Sequence, residues 1–396
     1  MIRRKEIILY FVIYLIVGYA FFRHATLGQY QNNLMIVLDA IVVMFLMNHG
    51  SKVLNNKTQF NGLILLLFFI PYLSGISKLL YTGGHFLSMP TVITSIGFGF
   101  YYIFCVRHCS EERIIKSLVV VGLVIFAIQV FQQLYPQYAV FGIYDEERSM
   151  RNNYELVEER NGLMRFSLGG VNITLMCMYY YWGKILERRS VKNLLIFALF
   201  ILSMYLFLTR QIIFSSILAF LSTLLFQGKT KNHWKVLFFV VALLLGIALN
   251  FESLFGELAE SAESEFNTDN IRYASIMYFG EKIFTNPVTI LFGNGLGAMN
   301  MDLKDIGLDP TDIGFVGQAF YYGLLWIAVW LYTIYLILFK YGSKLPLYIK
   351  LFVLGTSIHS LGMFPYRSAS EAAIWAAMLY ISSLYIKKDS NFEVKR

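Results

Sequence analysis

The feature that most constrains this chain is a succession of helix-length apolar runs separated by short polar breaks, recurring from residue 7 to residue 386. A helical span of a bilayer needs about 20 apolar residues, and about 17 suffice. The runs do not alternate apolar with polar, so they suit helices and not the strands of a barrel. Composition agrees, with 57% of residues hydrophobic and 15% charged, against about 25% charged in soluble domains. Twelve spans are expected, at roughly 7–22, 34–48, 60–77, 90–106, 114–134, 167–185, 193–208, 211–227, 235–250, 313–339, 347–364 and 371–386. The expected fold is an all-α polytopic membrane protein. Residues 1–250 hold nine spans, 251–312 form a large external loop, and 313–396 hold the last three spans and the tail.

The net charge is +8, but the basic residues lie in the short loops between spans, as positive-inside orientation requires, so no nucleic-acid partner is expected. Arg3, Arg4 and Lys5 place the N-terminus in the cytoplasm. The loops that then fall on the same side carry Lys52 and Lys57; Arg107, Arg113 and Lys116; Lys184, Arg188, Arg189 and Lys192; Lys229, Lys231 and Lys235; and Lys340, Lys344 and Lys350. The tail, with Lys387, Lys388, Lys395 and Arg396, is cytoplasmic as well. The N-terminal run has no convincing small-residue cleavage site and reads as a retained first span. Cys105, Cys109 and Cys177 form neither a disulfide framework nor a zinc spacing.

Residues 193–227 are apolar except for Thr209-Arg210-Gln211. A single helix of that length would be about 50 Å long, against a hydrocarbon core of about 30 Å. Two spans joined by a tight outer turn at Arg210 fit both the thickness and the basic flanks. The outer face then holds the loops 135–166 and 251–312, the Arg210 turn and the Pro365-Tyr366-Arg367 turn. Any catalytic surface of size faces outward.

The loop 251–312 is the one long polar segment. Leu254, Phe255, Leu258, Ala259, Ala262 and Phe266 make one helical stripe opposite Glu257, Glu260, Glu263 and Glu265, the pattern of an amphipathic surface helix. Asn267 to Asn270 supply N-cap candidates for a second helix over about 271–284, followed by Pro287 and the turn Gly293-Asn294-Gly295-Leu296-Gly297. Arg272 falls in the first turn of that helix, where the helix dipole disfavours a cation. Either a bound anion or a salt bridge, to Asp269 or to a preceding glutamate, would offset this. Arg210 at the membrane edge is either a headgroup anchor or a functional charge. Arg165 and Arg367 are weaker versions of the same case, and four outward arginines on one cavity would suit a pyrophosphate. Gly293, Gly295 and Gly297 could present amides to an anion or form a plain turn. Of Asp302, Asp305, Asp309 and Asp312, the last opens a span and is the best candidate for a base. Asp39 and His359 lie inside spans and read as interior hydrogen-bonded groups.

Several chemistries are disfavoured. Gly228-Lys229-Thr230 ends like a phosphate loop, but Thr223 stands where its first glycine belongs. There is no HExxH and no Cys/His cluster. The first outer loop, 23–33, has no carboxylate to bind a metal.

The order of these motifs resembles the bacterial O-antigen and capsule polymerase (Wzy-type) and O-antigen ligase family of membrane glycosyltransferases. The resemblance rests on LFLTRQIIFSSILAFL at 206–221, the large loop before the last three spans, NIRYASIMYFGEKIFTNPVTILFGNGLGAMN at 270–300, and DIGFVGQAFYYGLLWIAVW at 312–330. It implies a GT-C-like fold in the bacterial cytoplasmic (inner) membrane. The implied reaction joins undecaprenyl-pyrophosphate-linked repeat units, one as donor and one as acceptor, into O-antigen, capsule or exopolysaccharide. No cofactor, metal or nucleotide sugar is needed. A chain-length regulator and a flippase would be partners, beside membrane lipid. Arg210 and Arg272 would act on the departing pyrophosphate and Asp312 on the acceptor hydroxyl. Arg165, Arg367 and the three glycines would bind substrate. Thr209-Arg210 stands where the family commonly has Ser-Arg, and Asp312-Ile313 where ligases carry a histidine, which favours the polymerase branch over a ligase. The rival class is a lipid-linked oligosaccharide flippase, against which stand the lack of an internal repeat and the long outer loop.

Overall fold

The structure, a computed structural model, describes residues 4–19, 28–54, 58–82, 95–135, 158–160, 163–165, 169–188, 190–207, 209–227, 271–295, 308, 310, 313–361 and 368–393. Nearly every element is helical: α1 (Arg4–Tyr19), α2 (Gly28–Asn48), α3 (Gly50–Leu54), α4 (Asn61–Thr82), α5 (Gly99–Arg107), α6 (Glu111–Leu134), α7 (Val171–Glu187), α8 (Val191–Leu206), α9 (Arg210–Leu221), α10 (Thr223–Gln227), α11 (Ile271–Ile283), α12 (Pro287–Phe292), α13 (Gly314–Tyr335, continued by a π turn over Leu336–Lys340), α14 (Leu347–His359) and α15 (Ala369–Glu393). The loop 135–166 adds one element outside the helical reading, a hairpin of β1 (Glu158–Arg160) and β2 (Leu163–Arg165).

Among the described residues, four segments are long and apolar enough to cross a membrane, at Asn61–Leu80, Glu111–Leu134, Gly314–Lys340 and Ala369–Lys387. Shorter apolar helices lie at Asn33–Asn48, Val191–Leu206, Gln211–Phe226 and Leu347–His359. Leu9, Met47, Phe69, Leu80, Leu195, Leu225 and Phe339 are exposed, a distribution that water would penalise and lipid would not. The interior is correspondingly polar in places. Ser74, Thr333, Thr356, Ser360 and Ser382 each donate to a backbone carbonyl three or four residues earlier in the same helix. Ser203 Oγ of α8 donates to Gln129 Oε1 of α6 at 2.7 Å, and Gln129 Nε2 returns a bond to Ser203 O at 3.2 Å. Within a bilayer such reciprocal bonds satisfy groups that have no water to turn to.

The centre is α15. Ala372, Ala373, Ala376 and Ala377 are fully buried, and the small side chains let neighbouring backbones close in. Trp330 of α13 meets Trp375 of α15 edge-on at 4.5 Å, and Phe352 of α14 meets the same ring at 5.2 Å. These aromatics join three helices without needing a polar bond.

The residue expected to divide 193–227 does so. Helix α8 ends at Leu206 and α9 begins at Arg210. Phe197 near the start of α8 packs edge-on against Phe220 near the end of α9 at 5.9 Å, and Trp182 covers both. The chain therefore folds back between α8 and α9 and does not continue as one rod.

Two ends of the bundle follow from such contacts. At one, Tyr380 Oη donates to Cys109 O at 2.7 Å, Tyr348 Oη donates to Glu111, and Lys350 Nζ lies 5.3 Å from the Phe226 ring centre. Arg107, Arg113, Lys116, Lys184, Lys340 and Lys344 share this end, called here the basic end. At the other, the α-carbon of Gly314 lies against Leu361 O, Gly97 against Ala369 O, and Gly169 against the Tyr19 ring. Expected spans 235–250 and the amphipathic helix over 254–266 lie outside the described residues.

Candidate functional site

The end opposite the basic one carries the predicted site residues that the structure describes. Arg210 is the first residue of α9. Thr209 precedes it in an extended conformation and spends its hydroxyl on Phe207 O at 3.1 Å, so the first-turn amides receive no side-chain cap from it. Arg272 is the second residue of α11 and is exposed. Both arginines thus open helices, where a cation is disfavoured unless an anion joins it. Phe279 of α11, fully buried, packs on Phe320 of α13 at 4.8 Å. Arg272 is two turns earlier on the same stripe, which places it on the face that meets α13 but beyond the contact.

Arg165 ends β2, with Glu158 as its cross-strand partner in register. The hairpin leads into α7 at this same end, where Gly170 packs against Ile125. Asp312, Arg367 and Gly297 lie outside the described residues. Their nearest described neighbours are Ile313 at the start of α13, Ser368 at the start of α15, and Gly295.

Gly293 and Gly295 have a different setting from an open anion loop. Asn286 caps α12 by accepting from the amides of Val288 and Thr289, both at 2.9 Å, and Thr289 Oγ1 answers by accepting from Asn286 N. Pro287 at the first helical position needs no donor. The helix stops at Gly293, whose N–H bonds Thr289 O at 2.8 Å. Asn294 N then donates to Phe320 O at 2.7 Å and Gly295 N to Tyr321 O at 2.9 Å. Asn294 Nδ2 adds a bond to Phe320 O at 3.3 Å.

Those acceptors are available because α13 is broken. Gly323 sits at φ 76° and ψ 176°, so the helix cannot supply the usual donors to Phe320 O and Tyr321 O. The turn supplies them instead. The approach is close in both directions: a Cβ on Gly293 would fall 2.4 Å from Tyr321 O, and one on Gly323 would fall 2.2 Å from Leu291 O. The span expected at 313–339 is present as Gly314–Lys340 and carries this kink within it. Of the two readings of Gly293 and Gly295, amides for an anion or a plain turn, both amides bond protein carbonyls. The plain-turn alternative fits these bonds.

One residue that sequence reasoning passed over is Gln318, on the second turn of α13. It is 0% exposed, and neither Oε1 nor Nε2 has a hydrogen-bond partner among the described residues. A buried unpaired amide costs roughly 1–3 kcal/mol. Its signal was visible as the one amide side chain in GFVGQAFYYGLLWIAVW. Asp39, expected as an interior hydrogen-bonded group, accepts from Tyr14 Oη at 2.6 Å.

No family model matches the chain, and neither a curated protein nor a solved structure matches it.

Proposed function

We propose that this chain is a polysaccharide polymerase of the bacterial cytoplasmic membrane, with about twelve spans, a GT-C-like arrangement, both termini in the cytoplasm and its site on the outer face. The observation that carries the reading is the position of Arg210 and Arg272, each in the first turn of a helix at the end away from the basic loops. A guanidinium there is poorly placed for its own helix and well placed for a pyrophosphate, which the helix amides also favour.

In this reading, an acceptor sugar hydroxyl attacks the donor's anomeric carbon. The new C–O bond forms as the bond to the lipid pyrophosphate breaks, and undecaprenyl pyrophosphate leaves with the electron pair. Arg210 and Arg272 stabilise its charge. Asp312 takes the hydroxyl proton. Arg165 and Arg367 hold substrate, and Gln318 is suited to bond a glycan hydroxyl. A chain-length regulator and a flippase are the expected partners.

The test uses purified protein in liposomes with a lipid-linked repeat unit and no added nucleotide or metal. A ladder of polymer is expected. Arg210→Ala and Arg272→Ala should each reduce it by about 10²–10³-fold, the usual cost of losing a charge-stabilising donor, at unchanged protein abundance. A full ladder from Arg210→Ala removes that residue from the mechanism. Movement of the repeat unit across the bilayer with no ladder makes the protein a flippase.

A further inference from the structure

Outside the proposed site, a cavity of about 170 Å³ lies at the basic end, where α6 begins, α7 ends, α14 begins and α15 passes. Its charged and aromatic lining comes from Glu111, Tyr180, Lys184, Glu187, Tyr348 and Tyr385. Glu111 is the centre. Tyr348 Oη donates to its Oε1 at 2.7 Å, and Tyr385 Oη donates to Oε2 at 2.8 Å. The first position of α6 favours a negative charge there through the helix dipole. No ion pair reaches Glu111 among the described residues.

The lining is rich in acceptors and poor in free donors. Both phenol hydrogens point at the carboxylate, leaving the phenol oxygens with lone pairs. Tyr180 stands edge-on to Tyr348 at 5.2 Å, adding a π face. Lys184 shows what this environment holds: its Nζ bonds Glu187 Oε2 at 3.0 Å and lies 5.6 Å from the Tyr180 ring centre. That pair sits at the mouth, with side chains 42% and 67% exposed. Lys184 makes its ion pair with Glu187, and the Glu111 carboxylate is met by the two phenols.

We propose that this pocket binds a primary ammonium group at the level of the lipid headgroups. Three N–H donors match the carboxylate and the two phenol oxygens, and the ring face takes the remaining charge. The ends of apolar helices put the pocket at the membrane interface, so a phospholipid with an ethanolamine headgroup is one source. A soluble primary amine is the other.

The experiment is lipid retention by the full-length protein, read by native mass spectrometry after reconstitution with phosphatidylethanolamine, phosphatidylcholine or phosphatidylglycerol. Ethanolamine in detergent solution is the lipid-free arm. Phosphatidylethanolamine should be held about tenfold more tightly than phosphatidylcholine, whose quaternary nitrogen has no N–H. Glu111→Gln should abolish the preference. Since Glu111 also clamps three helices, a second variant is needed. Gly183 lines the pocket, and a Cβ added to it meets nothing within 4 Å. Gly183→Leu fills the cavity with a better helix former, so it should remove the preference without lowering thermal stability. Binding of free ethanolamine that competes with the lipid supports the site and identifies a soluble source. Equal retention of the ethanolamine and choline lipids, or a preference that survives Gly183→Leu, overturns the proposal. None of these readouts depends on polymerase activity.

Discussion

Replacing Gly323 by alanine tests the lock between the broken helix α13 and the turn that fills its gap. Two costs add. Alanine at φ 76° and ψ 176° occupies a region that is almost exclusive to glycine, worth about 1–3 kcal/mol. Its Cβ would also fall 2.2 Å from Leu291 O, so the turn must withdraw. Withdrawal loses the bonds from Asn294 N to Phe320 O and from Gly295 N to Tyr321 O, at about 0.5–1.5 kcal/mol each. If α13 straightens instead, its own donors recover those carbonyls and the two amides of the turn are left buried and unpaired. Either route gives a loss of roughly 2–6 kcal/mol, or about 4–12 °C in Tm at about 2 °C per kcal/mol. The assay is thermal unfolding of purified protein in detergent, followed by size exclusion. Gly183→Ala is the control, because it sits inside α7 with open space around its Cβ and should be neutral or stabilising by about 0.5–1 kcal/mol. A Gly323→Ala protein that melts at or above the wild-type temperature would refute the lock.

Three further outcomes are expected. Gln129→Leu and Ser203→Ala should each destabilise the protein by leaving the other partner's polar group buried, and the double variant should recover part of the loss, with a coupling of about 0.6–1.7 kcal/mol in a double-mutant cycle. Asn286→Ala should cost about 1 kcal/mol by uncapping α12, whereas Asn286→Asp, which keeps the acceptor, should stay close to wild type in the same melting assay. Gln318→Leu should leave Tm unchanged or raise it, because the amide has no partner among the described residues; a fall in polymer yield at unchanged Tm would assign the amide to substrate, and a fall in Tm would show that it is structural.

How much of this was legible in the sequence depends on the kind of signal. The described helices were, because apolar runs of fixed length admit little else in a bilayer, and the break at Thr209-Arg210 was, because one helix there would overrun the membrane. Helix ends shifted by a few residues, as at His359, where α14 stops short of the expected 364. The kink at Gly323 was not legible. A glycine inside a membrane helix is ordinary, and only the approach of Leu291 and Asn294, about 30 residues away in sequence, makes it a break. For the same reason the Gly293 turn was open to two readings until its hydrogen-bond partners were known. The glycines announced a turn, but not where its amides would point. Gln318 was visible as a residue and not as a problem, since burial and the lack of a partner are tertiary facts. Glu111 was overlooked because the N-terminal residue of a helix near basic loops reads as a solvated charge, whereas two tyrosines from α14 and α15 turn it inward.

The committed amides of Gly293, Asn294 and Gly295 also bear on how an anion could be held at this end of the molecule. A phosphate loop uses backbone donors on a glycine-rich turn, and here those donors close a gap in α13. The turn's glycines are required by close backbone approach, at Tyr321 and at Ser74 of α4, which accounts for them without a ligand. Recognition of a pyrophosphate would therefore fall to side-chain cations and to helix starts, and the described chain offers these at Arg210 and Arg272. That division has a physical advantage in a bilayer. The turn's backbone amides stay paired, as the hydrocarbon demands, and in the proposed site the charge of a substrate would be met by side chains at helix starts. The broken helix α13 holds α11 and α12 against the bundle through the Phe279–Phe320 contact and the bonds to Phe320 O and Tyr321 O, so in the proposed site Arg272 would be presented from a fixed support.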